Sequence, residues 1–300
     1  MATPELTLLT DCQELGFAVP SDAEAFDALE SKVERFQRAG AALVRLETDW
    51  DDTIGHGTWP VVRSAISKQA ASGQKELYAN HKSGLQKGLL TRNQSWLWQV
   101  GALGTLVGQR IEPILEAARA DAGGVREGAR ELYEHCKENG IPFIVKSAST
   151  RQVIEAASDA GGIKPDLIIA TELFTNGKTP DTGTIIGWDF DTMTHSLNKG
   201  DVRPPELTAI EETHPHVIGL GDGTLDRMMI HPNNDTFWIR ANGGYQQHSE
   251  EWGTYLAESF AQLHIFDEKN PEHYTTYPPY DLVSIEPDLV ATNGLIRHLF

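Results

Sequence analysis

Acidic residues follow directly after an apolar segment near residue 50. Residues 41–48 are mostly apolar and predict a β-strand, which leads into Asp49, Asp51 and Asp52. Ligands of open α/β sheets bind beyond the carboxyl ends of the strands, so this position favours chemistry over packing. Asp49 could attack a phosphorus atom, while Asp51 could protonate the leaving oxygen and later deprotonate water. The spacing therefore indicates a nucleophile and an acid/base group for phosphoryl transfer.

The same acids also indicate a metal. Three carboxylates within four residues repel one another, and oxygen ligands of this kind suit Mg²⁺. An EF-hand loop is excluded, because the sixth position of the segment is not Gly and the twelfth is not Glu. The alternative is a solvated acidic turn that caps a helix, and the segment alone leaves it open.

A second segment predicts an anion-binding loop. Residues 141–145 read as a buried strand, Ser147 and Ala148 begin a small polar turn, and a helix is expected from Thr150. A hydroxyl and the free N–H groups at a helix start can hold phosphate oxygens. Ser147 could equally be a helix N-cap.

Two later segments complete the set. Residues 216–220 predict a strand, and the tight turn after it would present Asp222 beside Asp49 as a further metal ligand. Asp226 could orient metal-bound water or Lys199, or it could be an exposed acid in a first helical turn. Lys199 could fix the nucleophile and the phosphate oxygens, although a lone Lys is more often solvated.

In this order the four segments resemble the haloacid dehalogenase superfamily of aspartate-nucleophile phosphohydrolases, over most of residues 40–230. Within it the chain looks most like the cytosolic pyrimidine 5'-nucleotidases, from residues 34–40 through 195–199 to the turn at Asp222. The first motif differs from the family's usual one at Trp50 and Asp52, where that motif has Phe and Met.

The resemblance implies a Mg²⁺-dependent phosphomonoesterase that acts through an aspartyl-phosphate on Asp49. Mg²⁺ would be held by Asp49, by Asp51 through its carbonyl group, and by Asp222. The phosphate would be bound by Ser147, Ala148 and Lys199. Asp226 would orient metal-bound water or Lys199. The most probable substrate class is a pyrimidine nucleoside 5'-monophosphate; the alternatives are a phosphoserine-like or sugar phosphate substrate, or a catalytically silent binding module.

The expected fold class is α/β, with a Rossmann-like parallel-sheet core flanked by helices. The core would comprise residues 1–53 and 123–300, and residues 54–122 would form an inserted helical cap, because their pattern is helical. In the cap, Glu76 and Tyr78 resemble the family's segment that addresses the pyrimidine base by hydrogen bonding and stacking. Alternatively, Glu76 is solvated and Tyr78 packs between cap helices.

Other elements follow from local patterns. Helices are predicted over residues 21–38 and 125–139, a strand over 165–170, and a hairpin or loop over 176–194. The prolines beyond residue 266 predict an extended segment that ends in a short helix.

Composition favours a single enzyme in the cytoplasm. The chain has 300 residues and 40% hydrophobic content, which suffices for a large core. It lacks an apolar run of the roughly 20 residues that span a bilayer. Its two cysteines, Cys12 and Cys136, offer no disulfide framework. The net charge of −18 argues against a nucleic-acid polymer as partner and leaves a small phosphorylated substrate. No feature indicates an oligomeric state.

Overall fold

The computed structural model describes residues 8–86, 91–121, 125–241, 249–267, 270–285 and 289–300. The strands in these ranges are β1 (Phe17–Ala18), β2 (Val44–Thr48), β3 (Phe143–Thr150), β4 (Leu167–Thr171), β5 (Leu173–Thr175), β6 (Ile185–Trp188), β7 (His216–Gly221), β8 (Thr236–Arg240), β9 (Leu263–Asp267), β10 (Asn270–Tyr277) and β11 (Leu282–Ser284). The helices are α1 (Leu8–Glu14), α2 (Ala23–Ala39), α3 (Thr58–Ala65), α4 (Lys68–Gln86), α5 (Arg92–Gly104), α6 (Ile111–Ala120), α7 (Ala129–Glu138), α8 (Arg151–Ala160), α9 (Pro205–Thr213), α10 (Ser249–Ser259) and α11 (Val290–Leu299).

A seven-stranded sheet forms the centre of the molecule, in the order β1-β11-β8-β7-β2-β3-β4. All neighbouring strands are parallel except β1 and β11. Helices flank the sheet, so the predicted α/β class with a Rossmann-like core is confirmed. No helix in the described ranges is long and apolar enough to cross a membrane.

β2 lies in the middle of this sheet, between β3 and β7. Thr48 at its end pairs with Val145 of β3 and with Leu220 of β7. Because the three strands are parallel, the residues that follow them meet at one edge of the sheet. This register places the segments that begin with Asp49, Ser147 and Asp222 side by side.

Helix α2 packs on the sheet as its sequence predicts. It begins after Asp22, whose side chain accepts a hydrogen bond of 3.0 Å from the Ala25 N–H, and its buried residues include Leu29, Val33 and Phe36. Burying one such side chain stabilises the fold by roughly 1.5–3 kcal/mol. The helix ends at Gly40, whose φ of 71° is a conformation that glycine adopts more readily than other residues.

A charged cluster is buried within the sheet. Glu47 of β2 forms ion pairs of 2.6 Å with Arg45 on the same strand and with Lys146 on β3. Burial opposes the charge on Glu47, but Lys146 and Arg45 lower its pKa overall. Lys146 also donates to the Met229 carbonyl at 2.8 Å. These pairs tie together the two strands that lead into Asp49 and Ser147.

Helices α3 to α6 occupy the chain between β2 and β3 and lie within the predicted cap. The division at residues 53/54 and 122/123 stays a prediction, and its second boundary falls outside the described residues. The predicted hairpin exists as β5 and β6, with Leu173 opposite Trp188, and it begins earlier than expected. Cys12 and Cys136 are buried free thiols.

Three local expectations are wrong. Residues 41–43 form a 3₁₀ turn before β2 instead of its first part. The predicted turn at Ser147 lies inside β3, which continues to Thr150; the register with β4 shifts there, because the Ser147 hydroxyl accepts the Ser149 N–H at 3.0 Å. The C-terminal segment is more regular than an extended wrap, since β9 and β10 form a hairpin and β11 joins the sheet, while the short final helix predicted there is confirmed as α11.

Candidate active site

Asp49 is the first residue beyond β2 and is fixed by its backbone and its side chain. Its N–H donates to the Leu220 carbonyl at 3.0 Å, and the residue is 4% exposed. Lys199 donates from Nζ to Asp49 Oδ1 at 2.6 Å and to Asp226 Oδ1 at 2.8 Å. One buried ammonium group therefore bridges the acids of two separate loops.

Asp226 also shapes the loop that carries it. It lies in a 3₁₀ turn over Thr224–Met229, and its Oδ2 accepts the Gly223 N–H at 2.7 Å. A Cβ on Gly221 would lie 2.3 Å from the Cβ of Asp226, so only glycine fits there. The predicted contact of Asp226 with Lys199 is present, while its role stays a prediction.

Asp49, Asp222 and Asp226 form an acidic cluster, in which one carboxylate oxygen of each lies within 4.8 Å of the others. Burial raises the pKa of Asp49 well above its ordinary value; Lys199 opposes this and Asp226 adds to it. Burial, followed by the repulsion of Asp226 and Asp52, raises the pKa of Asp222 to about 8. These shifts reflect charges crowded together away from water.

The acidic cluster fits a divalent cation. Its three carboxylates outnumber the two cations that act on them among the described residues, the Lys199 ammonium and the Arg240 guanidinium, so negative charge remains uncompensated when all three are ionised. All candidate ligand atoms are oxygens, which favours a hard cation. The side chain of Asp51 is outside the acidic cluster and Asp226 is inside it. Binding through the Asp51 carbonyl stays a prediction.

Asp51 is held by two donors beside Asp49. Its Oδ1 accepts the Thr58 N–H at 2.5 Å, and its Oδ2 accepts the Ser147 hydroxyl at 3.3 Å. Burial raises the pKa of Asp51, while the bonds from Thr58 act against this. A carboxyl group with a raised pKa keeps a proton more readily near neutral pH, which suits a general acid.

The loop after Asp49 turns sharply because of two residues that depart from the family motif. Asp52 has a φ of 59°, and its carbonyl accepts a hydrogen bond of 2.6 Å from Arg126. Trp50 is 1% exposed and points into the hydrophobic core. Its carbonyl accepts the Gly55 N–H at 2.9 Å, and a Cβ on Gly55 would lie 2.5 Å from the indole ring.

Further side chains contact the predicted phosphate loop and Asp222. Thr58 Oγ1 donates to Ser149 Oγ at 2.5 Å. Gln99 of α5 donates from Nε2 to the Ala148 carbonyl at 2.9 Å. Thr53 Oγ1 donates to Asp222 Oδ1 at 3.4 Å. The sequence patterns did not predict these contacts. Of the three residues, Thr53 alone could have been noticed, since it directly follows the acidic segment of the first motif.

Glu76 and Tyr78 lie apart from these contacts. Both are exposed on α4, and no hydrogen bond or ion pair joins the Glu76 side chain to any other described residue. The structure therefore brings together Asp49, Asp51, Ser147, Ala148, Lys199, Asp222 and Asp226, but not Glu76. Its role in substrate binding stays a prediction.

Comparisons with known proteins give likeness in structure only. A scan against protein-family models finds no match, and a search of curated proteins finds none. Among solved structures, the chain resembles cytosolic 5'-nucleotidase IIIB bound to cytidine, with a TM-score of 0.73 and 14% identity over 97% of each chain. It also resembles phosphoserine phosphatase from T. onnurineus, with a TM-score of 0.51 and 15% identity over 87% of this chain and 98% of the other. The predicted α/β fold is thus shared with both of these solved structures.

Proposed function

We propose that the protein is a metal-dependent phosphomonoesterase that removes the phosphate of a nucleoside 5'-monophosphate, with a pyrimidine base preferred. One observation carries the proposal: Lys199 joins Asp49 to Asp226, with Asp51 and Asp222 beside them, at the edge of the sheet where parallel strands end. The proposed place of action is the cytoplasm. The substrate is small and phosphorylated.

In the first step, an Asp49 carboxylate oxygen attacks phosphorus. The bond between phosphorus and the ester oxygen breaks, and Asp51 gives its proton to the departing oxygen. In the second step, Asp51 takes a proton from water, whose oxygen attacks phosphorus and releases Asp49 and inorganic phosphate. The hydrogen bonds of Asp51 to Thr58 and Ser147 orient it for both transfers.

Charge compensation supports this sequence. Lys199 fixes the Asp49 carboxylate and offsets its charge, and Ser147 and Ala148 lie where phosphate oxygens would be held. The proposed cation is Mg²⁺, held by Asp49, Asp222 and the Asp51 carbonyl, with Asp226 close by. It would neutralise charge that develops on the phosphate.

Two substrate classes remain in view. The nucleotide is favoured because the chain looks like pyrimidine 5'-nucleotidases in its motifs and has the fold of a nucleotidase bound to cytidine. A phosphoserine-like metabolite is the second candidate, because a phosphoserine phosphatase shares the fold.

The test is phosphate release from nucleoside monophosphates, sugar phosphates and phosphoserine, each with Mg²⁺ and with EDTA. We expect metal-dependent release with a preference for pyrimidine 5'-monophosphates. Preference for another ester would contradict the substrate assignment and retain the phosphatase. If the folded protein releases phosphate from no ester, the silent binding module replaces the enzyme.

A further inference from the structure

Polar and aromatic side chains meet where α4 and α5 contact the loop before Lys199, and all of them are buried except Trp98, which is half-buried. We call them the seam cluster: His81 from α4, Ser95, Trp98 and Gln99 from α5, and His195 from the loop. On α5 the spacing of three and four residues places Ser95, Trp98 and Gln99 on one helical face. The proposed phosphatase reaction assigns no role to any of these five residues.

The seam cluster is adjacent to the reacting groups. Gln99 donates to the carbonyl of Ala148, which directly follows Ser147, and Ser147 in turn contacts Asp51. Ser95 Oγ lies 2.8 Å from His195 Nδ1, four residues before Lys199. A substrate whose phosphate lies at Asp49 would therefore extend its leaving group past Asp51 towards these side chains.

Three polar atoms of the seam cluster have no hydrogen-bond partner among the residues that the structure describes: Gln99 Oε1, His81 Nε2 and Trp98 Nε1. Gln99 is fully buried and His81 is 8% exposed. An unpaired polar atom in such a place opposes folding, because it has lost its water and gained nothing in exchange. Three of them at one seam indicate a place built for a ligand that supplies the missing partners.

The chemistry of these atoms defines the ligand. Gln99 Oε1 can only accept a hydrogen bond, Trp98 Nε1 can only donate one, and a histidine nitrogen can do either. The rings of His81 and Trp98 lie 4.5 Å apart between centroids and offer aromatic surface. The charged neighbour Arg92 already forms an ion pair with Asp201. A charged amino-acid leaving group would therefore find no free counter-charge in the seam cluster.

We propose that Gln99 and His81, with Trp98, bind an uncharged leaving group that carries both donors and acceptors, as a nucleoside does, and so determine specificity. The inference rests on the proposed phosphatase function and narrows its substrate class. The three atoms are closed to solvent, so the proposal requires α4 and α5 to separate from the loops before the leaving group enters. Burial lowers the pKa of His81, so its ring is neutral near pH 7.

Gln99→Met tests the proposal through two esters. Cytidine 5'-monophosphate has a leaving group with donors and acceptors, whereas p-nitrophenyl phosphate has one without hydrogen-bond donors. Both esters lose the support that Gln99 gives the Ala148 carbonyl, so we expect kcat/KM to fall on both, and to fall about tenfold or more further on the nucleotide than on the nitrophenyl ester. Gln69→Met makes the same exchange at an exposed position of α4 and should leave both values unchanged.

An equal fall on both esters would show that Gln99 only positions the Ala148 loop, and unchanged kinetics would show no role; either result overturns the proposal. His81→Phe, which keeps an aromatic ring, provides a second test if Gln99→Met fails to fold by circular dichroism. Calorimetry with cytidine alone separates the two proposals. Binding by the wild type that is weakened in Gln99→Met supports the seam cluster even if no ester is hydrolysed, while absence of binding overturns it.

Discussion

The α-carbon of Gly55 lies against the indole ring of Trp50 with no room for a side chain between them. Trp50 lies between Asp49 and Asp51 in the chain and is buried in the core, so we expect a shift of its ring to move the backbone that carries both acids. The indole ring of Trp50, which stands where the usual motif has the smaller Phe, therefore fits only because residue 55 is glycine. The packing of Trp50 and the placement of Asp49 and Asp51 are therefore linked in this loop.

Gly55→Ala should lower stability by about 1–3 kcal/mol and also reduce kcat, because the new methyl group displaces Trp50 and with it the acids. Thermal unfolding and phosphate release measure the two effects. Gly57→Ala is the matched control, since a Cβ there would lie 3.4 Å from its nearest neighbour and should be tolerated. Equal behaviour of the two variants would contradict the packing argument.

Asp49→Asn should abolish turnover while the protein stays folded. The amide cannot act as the nucleophile, and it removes one of the crowded negative charges of the acidic cluster. Without metal, its Tm should be no lower than that of the wild type. Asp159→Asn, an exposed change on α8, should retain full activity. Appreciable activity of Asp49→Asn would exclude the covalent mechanism.

Mg²⁺ should raise the Tm of the wild type, because a ligand that binds only the folded state stabilises it, by about 2.7 kcal/mol at a hundredfold excess over Kd. The increase should be smaller in Asp222→Asn, which removes one carboxylate of the acidic cluster. Differential scanning fluorimetry across a Mg²⁺ series measures both. The same increase in both proteins would place the cation elsewhere.

Stability should depend on pH through His195. Burial, and secondly Arg92, lower the pKa of His195 to about 4 from an ordinary 6.5. The unfolded chain therefore takes up a proton before the folded one, so the free energy of unfolding falls as pH drops from about 6.5 towards 4. His195 should account for about 2 kcal/mol between pH 7 and pH 5.

Urea unfolding of wild type and His195→Gln over this pH range isolates that contribution. Asp222 and Asp49, whose pKa values are raised, act in the opposite direction, but they are common to both proteins and cancel in the difference. Parallel pH curves would show that His195 is not buried as a neutral ring.

Glu47→Leu should cost about 3–5 kcal/mol, because Lys146 would be left as a buried cation without a carboxylate partner and Arg45 would keep only Glu211. Chemical denaturation measures the loss. Glu30→Leu, an exposed change on α2, should have a small effect. Similar losses in the two variants would mean that the buried ion pairs contribute nothing to stability.

The sequence predicted those parts of the fold that depend on local patterns. The periodicity of Leu29, Val33 and Phe36 predicted α2, and the apolar runs predicted β2, β3, β4 and β7. β8 and β11 were missed. They are short, and their place is determined by pairing with β7 and with each other rather than by their own sequences.

In the candidate site too, some features could be predicted from local sequence and others depend on tertiary packing. Asp49, Asp51 and Asp222 stand at strand ends, where topology alone brings them together, so motifs sufficed to predict that they would meet. Gln99 could not be predicted, because its hydrogen bond to the Ala148 carbonyl depends on how α5 packs over the sheet. A lone Gln in a helix carries no signal of such a contact.

Because β2 pairs with β3 and β7, which are synthesised much later, the site cannot assemble in the order in which its residues are made. Asp49 and Asp51 leave the ribosome long before Lys199, Asp222 and Asp226, so the proposed nucleophile Asp49 exists for a time without the counter-charge of Lys199. Contacts between residues far apart in sequence form slowly, because the long intervening segment must first be confined. These groups can therefore assemble only after β7 and the turn that carries Asp222 and Asp226 have been made, and we expect nascent chains that end before β7 to be inactive.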